Sequence, residues 1–287
     1  MTFALSQPEA IGKWRARLGE TPVWCDRSAS LLWVDILAGK LLRYWPATQR
    51  CAIREMPRFT SAVLLTNEDN LLLVVSQQGI GLYDYQCERL IPFCAWPENE
   101  INTRPNEAAI APDGALWFST MDPQAQQVAG SWYRLTSGQD APQPMLADQW
   151  VPNTLIWHEG EQWFADSLRH CFYRAEASAD ALTIRQEYPV EGIPDGSALT
   201  EDGRLINARW GAAKLVCYTL GATDMKEECT LPLPVLQPSN CTFGGDTLSD
   251  LYITSALDGL ARPSELDGAV LKIKTTMTGL PENRFRF

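Results

Sequence analysis

Apolar residues in this chain fall into short runs broken by turn residues, and the runs recur at a regular interval. Their centres stand at Trp33, Leu73, Trp117, Trp163, Ile206 and Tyr252, 40–46 residues apart. That interval suits a four-stranded propeller blade. A second strand follows each of the first five centres and carries Tyr44, Tyr83, Tyr133, Tyr173 or Tyr218; residues 270–273 take that place in the last copy. Asp113-Gly114, Glu159-Gly160 and Asp202-Gly203 supply the dihedrals that tight hairpins demand. The pattern predicts an all-β fold, a six-bladed β-propeller that takes up residues 1–287 as a single domain.

The same repeat predicts where polar chemistry gathers. The innermost strands of a propeller line a central channel, so residues at one phase of the repeat converge. Ten to thirteen residues before each centre lie Glu20, Asn106, Asn153, Asp195 and Asn240, with Thr60-Ser61 in the second copy. Apolar residues follow each time. A polar residue heading a core strand, repeated around a ring, describes one polar site at a channel mouth. Carboxylates and amide oxygens converging there form a hard-donor set for Ca²⁺, Mg²⁺ or Mn²⁺, with Zn²⁺ also compatible.

Composition removes other chemistries. The formal charge of −11 disfavours nucleic acid or an anionic membrane as partner. No apolar run approaches the roughly 18 residues of a membrane span. The start, Met1-Thr2-Phe3-Ala4-Leu5, carries neither the basic region nor the apolar stretch of a signal peptide, so a cytoplasmic location is expected. Eight cysteines without a C-x-x-C pair read as buried thiols. Only His158 and His170 are present, which rules out a histidine-rich metal centre, and His158-Glu159 fails as a zincin motif because position 162 is Gln. No G-x-S-x-G elbow, P-loop or full dinucleotide fingerprint occurs.

Several segments resemble the regucalcin/gluconolactonase family, the group of senescence marker protein and luciferin-regenerating enzyme. They are Leu18-Gly19-Glu20-Thr21-Pro22-Val23-Trp24, Arg104-Pro105-Asn106, Ala165-Asp166-Ser167, Ile193-Pro194-Asp195-Gly196 and Pro238-Ser239-Asn240-Cys241-Thr242-Phe243. The likeness runs from about residue 15 to the C-terminal Gly279-Leu280-Pro281-Glu282. It implies a six-bladed propeller that hydrolyses sugar lactones with one divalent cation in the channel. Glu20, Asn153 and Asp195 would be the metal ligands, and Arg104 and Asn106 would hold the substrate. Asp122 stands where the family often has an acidic substrate contact. Glu107 replaces the usual Asp after Arg-x-Asn, and Thr154 replaces the usual Gly after the fourth-blade Asn.

The expected function is metal-dependent hydrolysis of an aldonolactone, with Asp195 as both ligand and general base. A small sugar lactone is the expected partner, and an acidic monomer the expected state, with a dimer as its alternative. Two rival readings remain: a phosphotriesterase-like hydrolase on the same scaffold, and a non-catalytic propeller that binds metal or protein on its faces.

Overall fold

The computed structural model describes residues 3–221 and 223–287; Met1 and Thr2, part of the start considered above, lie outside them. Six four-stranded antiparallel sheets follow one another along the chain. Blade 1 comprises Gly19–Cys25, Ser30–Asp35, Lys40–Trp45 and Arg50–Glu55. Blade 2 comprises Ala62–Leu65, Leu71–Ser76, Gly79–Asp84 and Arg89–Cys94. The inner strands of blades 3, 4 and 5 are Arg104–Ile110, Pro152–His158 and Ile193–Leu199. Blade 6 takes Pro238–Gly244, Asp250–Ser255 and Val270–Lys274, then borrows Glu9–Ile11 from the N-terminus as its outermost strand. The two ends of the chain thus share one sheet. Closing the ring this way covers a strand edge that would otherwise be open to pairing.

Burial follows from position in the blade. Inner strands such as Gly19–Cys25 and Pro238–Gly244 are buried at every residue, because neighbouring blades flank them on both faces. The outer strand Leu182–Pro189 alternates, with Leu182, Ile184 and Tyr188 turned inward and Thr183, Arg185 and Glu187 exposed, whereas Arg50–Glu55 of blade 1 leaves Ile53 exposed. The apolar centres read from the sequence, Trp33, Leu73, Trp117, Trp163, Ile206 and Tyr252, all lie in second strands and are at most 2% exposed. Large rings join adjacent blades: Trp24 stacks on Tyr252 at 5.7 Å between blades 1 and 6, and Trp132 meets Phe164 edge-on at 5.7 Å between blades 3 and 4. The Glu159-Gly160 pair has positive φ at both residues, 51° and 82°, as a type I′ hairpin needs. All eight cysteines are free; five are buried, but Cys87 is exposed because its short turn lies on the outer side of blade 2.

A backbone irregularity marks the polar phase of the repeat. The first two strands of blades 1, 3, 4, 5 and 6 lose register at Glu20/Val23, Pro105/Ala108, Asn153/Leu155, Pro194/Ser197 and Pro238/Asn240. Ala62–Leu65 of blade 2, which carries no Asp, Glu or Asn at this phase, pairs without interruption. A bulge inserts an unpaired residue and re-aims its neighbours. Five bulges therefore turn five polar side chains into the channel.

Candidate active site

The bulged residues form a connected ring. Asn240 Nδ2 donates to Glu20 Oε2 at 3.0 Å, and the Thr21 N–H donates to the same oxygen at 3.0 Å. Gly196 lies against Asn240 so closely that a Cβ there would stand 2.0 Å from Asn240 Cγ. This contact brings Asp195 beside the Glu20–Asn240 pair. On the other side, Arg104 Nη1 donates to Asn106 Oδ1 at 2.9 Å, and Asn106 Nδ2 donates to Asn153 Oδ1 at 3.3 Å. Asn153 Nδ2 donates to Ser167 Oγ at 2.9 Å, and Ser167 Oγ donates to Pro194 O at 2.6 Å, which returns the ring to Asp195. Glu20, Arg104, Asn106, Asn153 and Asp195 are all buried.

Asp122 is less free than the others. Its Oδ2 accepts the Gln126 N–H at 2.8 Å and its carbonyl accepts the Ala125 N–H at 2.9 Å, so it shapes its own loop. It still lies near enough to Arg104 to favour the charged guanidinium. Glu107, named in the sequence only as a departure, is a third buried carboxylate; its Oε1 accepts the Ala108 N–H at 3.0 Å.

Electrostatics separate these acids from structural ones. Asp35 and Asp166 are fully buried, yet backbone N–H groups saturate them: Arg17, Leu18 and Ala38 for Asp35, Trp150, Val151 and Arg169 for Asp166. The channel acids lack that many donors. Burial pushes Glu20 up to about 7, against the hydrogen bond from Asn240. Burial, then the charge of Glu20, pushes Glu107 up to about 8. Asp195 is raised well above the usual carboxylate range by burial and by Glu20 and Glu107. Burial also draws the Arg104 guanidinium down to about 10. Its Nε has no hydrogen-bond partner among the described residues.

Three buried carboxylates facing one guanidinium leave an excess of negative charge that a cation would relieve. Among the described residues no three His, Cys, Asp or Glu side chains are grouped as metal ligands; a hard cation also accepts amide oxygens beside carboxylates. Glu20, Asp195 and Asn153 fit that requirement as hard oxygen donors. Ser167 holds the Asn153 nitrogen and so fixes the direction of its amide. Past the ring the channel widens into a cavity of about 360 Å³, with Glu107, Asn240 and Thr242 on its wall and Leu280, Pro281 and Glu282 of the C-terminal segment at its far end.

Ser167 and Asn207 were not picked out as site residues from the sequence. Ser167 shows only as part of the Ala165-Asp166-Ser167 segment. Asn207 left a readable signal: a polar residue inside the otherwise apolar centre of Arg204–Trp210.

A six-bladed propeller with a ring of buried acids and amides at one channel end is the class defined so far. Residues 18–257 match the SMP-30/Gluconolactonase/LRE-like region, and the chain belongs to that family. It is 28% identical to the L-arabinolactonase of Azospirillum brasilense, over 97% of this chain and 95% of that one. It is 26% identical to the 6-deoxy-6-sulfogluconolactonase of Pseudomonas putida, over 93% and 94%. In fold it matches the calcium-binding protein regucalcin of Agrobacterium tumefaciens, with a TM-score of 0.88, 24% identity and 98% of both chains covered.

Proposed function

We propose that this chain is a divalent-cation-dependent sugar-lactone hydrolase whose cation is held by Glu20, Asn153 and Asp195. The observation that carries the reading is the meeting of buried, poorly solvated carboxylates with Arg104 and Asn106 in one ring. Family membership and the lactonase relatives support it. A cation bound there supplies Lewis acidity toward the lactone carbonyl.

The chain's own groups do the rest. Arg104, whose Nη1 bonds Pro105 O and Asn106 Oδ1, offers its remaining guanidinium N–H groups to the hydroxyls and ring oxygen of a sugar lactone, and Asn106, whose amide protons go to Pro152 O and Asn153 Oδ1, offers its Oδ1 to a sugar hydroxyl. Asp195 takes a proton from the attacking water. Water oxygen bonds to the carbonyl carbon, the bond from that carbon to the ring oxygen breaks, and Asp195 returns its proton to the ring oxygen, which leaves as a hydroxyl. The product is the open sugar acid. An all-polar ring suits a polyhydroxylated substrate better than an apolar phosphotriester.

A pH-indicator assay tests this. Metal-stripped protein should be inactive on arabinono- and gluconolactones and regain turnover when Ca²⁺, Mg²⁺, Mn²⁺ or Zn²⁺ is added. Hydrolysis that ignores both chelation and add-back would overturn the metal role, and no hydrolysis of any sugar lactone with any of the four cations would overturn the lactonase reading.

A further inference from the structure

Thr154 and Thr21 share an unusual feature. Both are β-branched, both have φ of 44°, and each directly follows a proposed metal ligand, Asn153 and Glu20. β-branched residues rarely take that conformation, so something else must hold it. In both cases a hydroxyl reaches across to the next blade: Thr21 Oγ1 donates to Ser61 O at 2.7 Å, and Thr154 Oγ1 donates to Asp195 O at 2.5 Å.

The Asp195 carbonyl has a second holder. Asn207 Nδ2 donates to Asp195 O at 2.7 Å and to Ser197 Oγ at 2.9 Å; with two protons to give, these are its two best partners. Ser197 Oγ in turn lies 2.7 Å from Thr154 Oγ1. Thr154 and Asn207 are each 0% exposed.

Arg209 sets the direction of Asn207. Its Nη1 donates to Asn207 Oδ1 at 2.6 Å. A guanidinium can only donate, so the amide oxygen must face it and the amide nitrogen must face Asp195. Arg209 is 1% exposed, also bonds the Tyr218 hydroxyl, and lies 5.5 Å from the ring centroids of Phe172 and Tyr218. An aliphatic side chain would fill that space without burying a charge. What the guanidinium adds is a fixed amide behind Asp195.

We propose that Thr154 and Asn207, the latter oriented by Arg209, are positioning residues: together they clamp the Asp195 carbonyl and so fix where the Asp195 carboxylate stands. The functional side of this rests on the reading of Asp195 as ligand and base given above. The clamp replaces what a glycine at position 154 would leave to backbone alone. It acts on Asp195 through its main chain and touches neither cation nor substrate.

The test uses the full-length protein, native and as Thr154→Val, Thr154→Ser and Asn207→Leu. Valine keeps the branched shape of threonine and removes only the hydroxyl. Calorimetric titration with Ca²⁺, Mg²⁺, Mn²⁺ and Zn²⁺, each alone, should show the Kd of the cation that binds raised about 10–100-fold in Thr154→Val and Asn207→Leu, the usual effect of losing an outer partner of a metal ligand. Thr154→Ser should restore tight binding, which a loss of packing alone would not explain. Crystals of Thr154→Val should show the Asp195 carboxylate displaced by about 1 Å, a shift large enough to matter at a reacting centre. Native-like cation affinity in Thr154→Val and Asn207→Leu overturns the clamp's role. If the native protein binds none of the four cations, the metal reading fails by itself, and the crystal decides the clamp: an unmoved Asp195 overturns it, a displaced one upholds it. Should Thr154→Val not fold, Asn207→Leu is read in the same two ways.

Discussion

At the scale of single residues, carboxylates buried without enough donors set the chemistry of the channel. Asp35 and Asp166 show what a satisfied buried acid looks like here, each capped by three backbone N–H groups. Asp195 has no such cap, and Glu20 and Glu107 surround it with more negative charge. Asp195→Asn keeps shape and one oxygen donor but loses the basic oxygen. Its turnover should fall about 10²–10⁴-fold and stay low at saturating cation, since that is the usual contribution of a general base. Full rescue by added cation would leave Asp195 as a ligand only. A pH dependence follows as well. Glu20 and Glu107 move from 4.5 to about 7 and about 8 on folding. A carboxylate whose folded value is raised favours the fold below its unfolded value and loses that benefit as pH rises through the folded one. The melting temperature of metal-stripped protein should therefore fall as pH climbs from about 5 to about 8, and bound cation should remove the fall. Glu20→Gln combined with Glu107→Gln should reduce the slope and leave the part that Asp195 and Glu282, also raised by burial, contribute; a slope as steep as in the native protein would contradict this origin.

At the scale of the element, the bulge is the unit that makes the site. Four of the five residues aimed by the bulges, Glu20, Asn106, Asn153 and Asp195, are proposed here as ligands or substrate contacts, and the fifth, Asn240, is hydrogen-bonded to Glu20 and lies against Gly196. Gly196→Ala puts a Cβ 2.0 Å from Asn240 Cγ and must push Asn240 off Glu20. Chemical denaturation should register a loss of about 1–3 kcal/mol, the range for overpacking a filled site; unchanged stability would mean that the inner strands slide freely. The repeat period and the polar phase were legible in the sequence because a hydrophobic strand and its polar head are local patterns. The bulges were not, because register is a relation between two strands. The Thr154–Asn207–Arg209 clamp was hidden for the same reason: Thr154 and Asn207 lie 53 positions apart and meet only once blades 4 and 5 pack. Arg104 and Asn106 were readable as a pair only through family resemblance, since a lone Arg is ordinarily a surface residue.

At the scale of the whole molecule, ring closure decides whether the inner strands converge at all. Glu9–Ile11 pairs with Val270–Lys274 in register Glu9↔Lys272 to Ile11↔Val270, and Trp24 stacks on Tyr252 across the same seam. Deleting residues 1–12 should lower the melting temperature and promote association through the bared edge of blade 6; a melting temperature and a size-exclusion elution both unchanged from the full-length protein would contradict that role. The C-terminal segment braces the opposite end of the channel, with Asn283 Nδ2 donating to Ile110 O at 2.9 Å and the Phe285 N–H to Leu65 O at 2.9 Å. The polar ring thus sits at one end of a channel whose other end is crossed by the chain itself. The most direct test of the central claim is anomalous diffraction from a crystal equilibrated with Mn²⁺. A peak within about 2.0–2.6 Å of Glu20, Asn153 and Asp195 oxygens, the range of divalent cation–oxygen bonds, is the expected result. A peak elsewhere, or none at a Mn²⁺ concentration that supports lactone turnover, would contradict it.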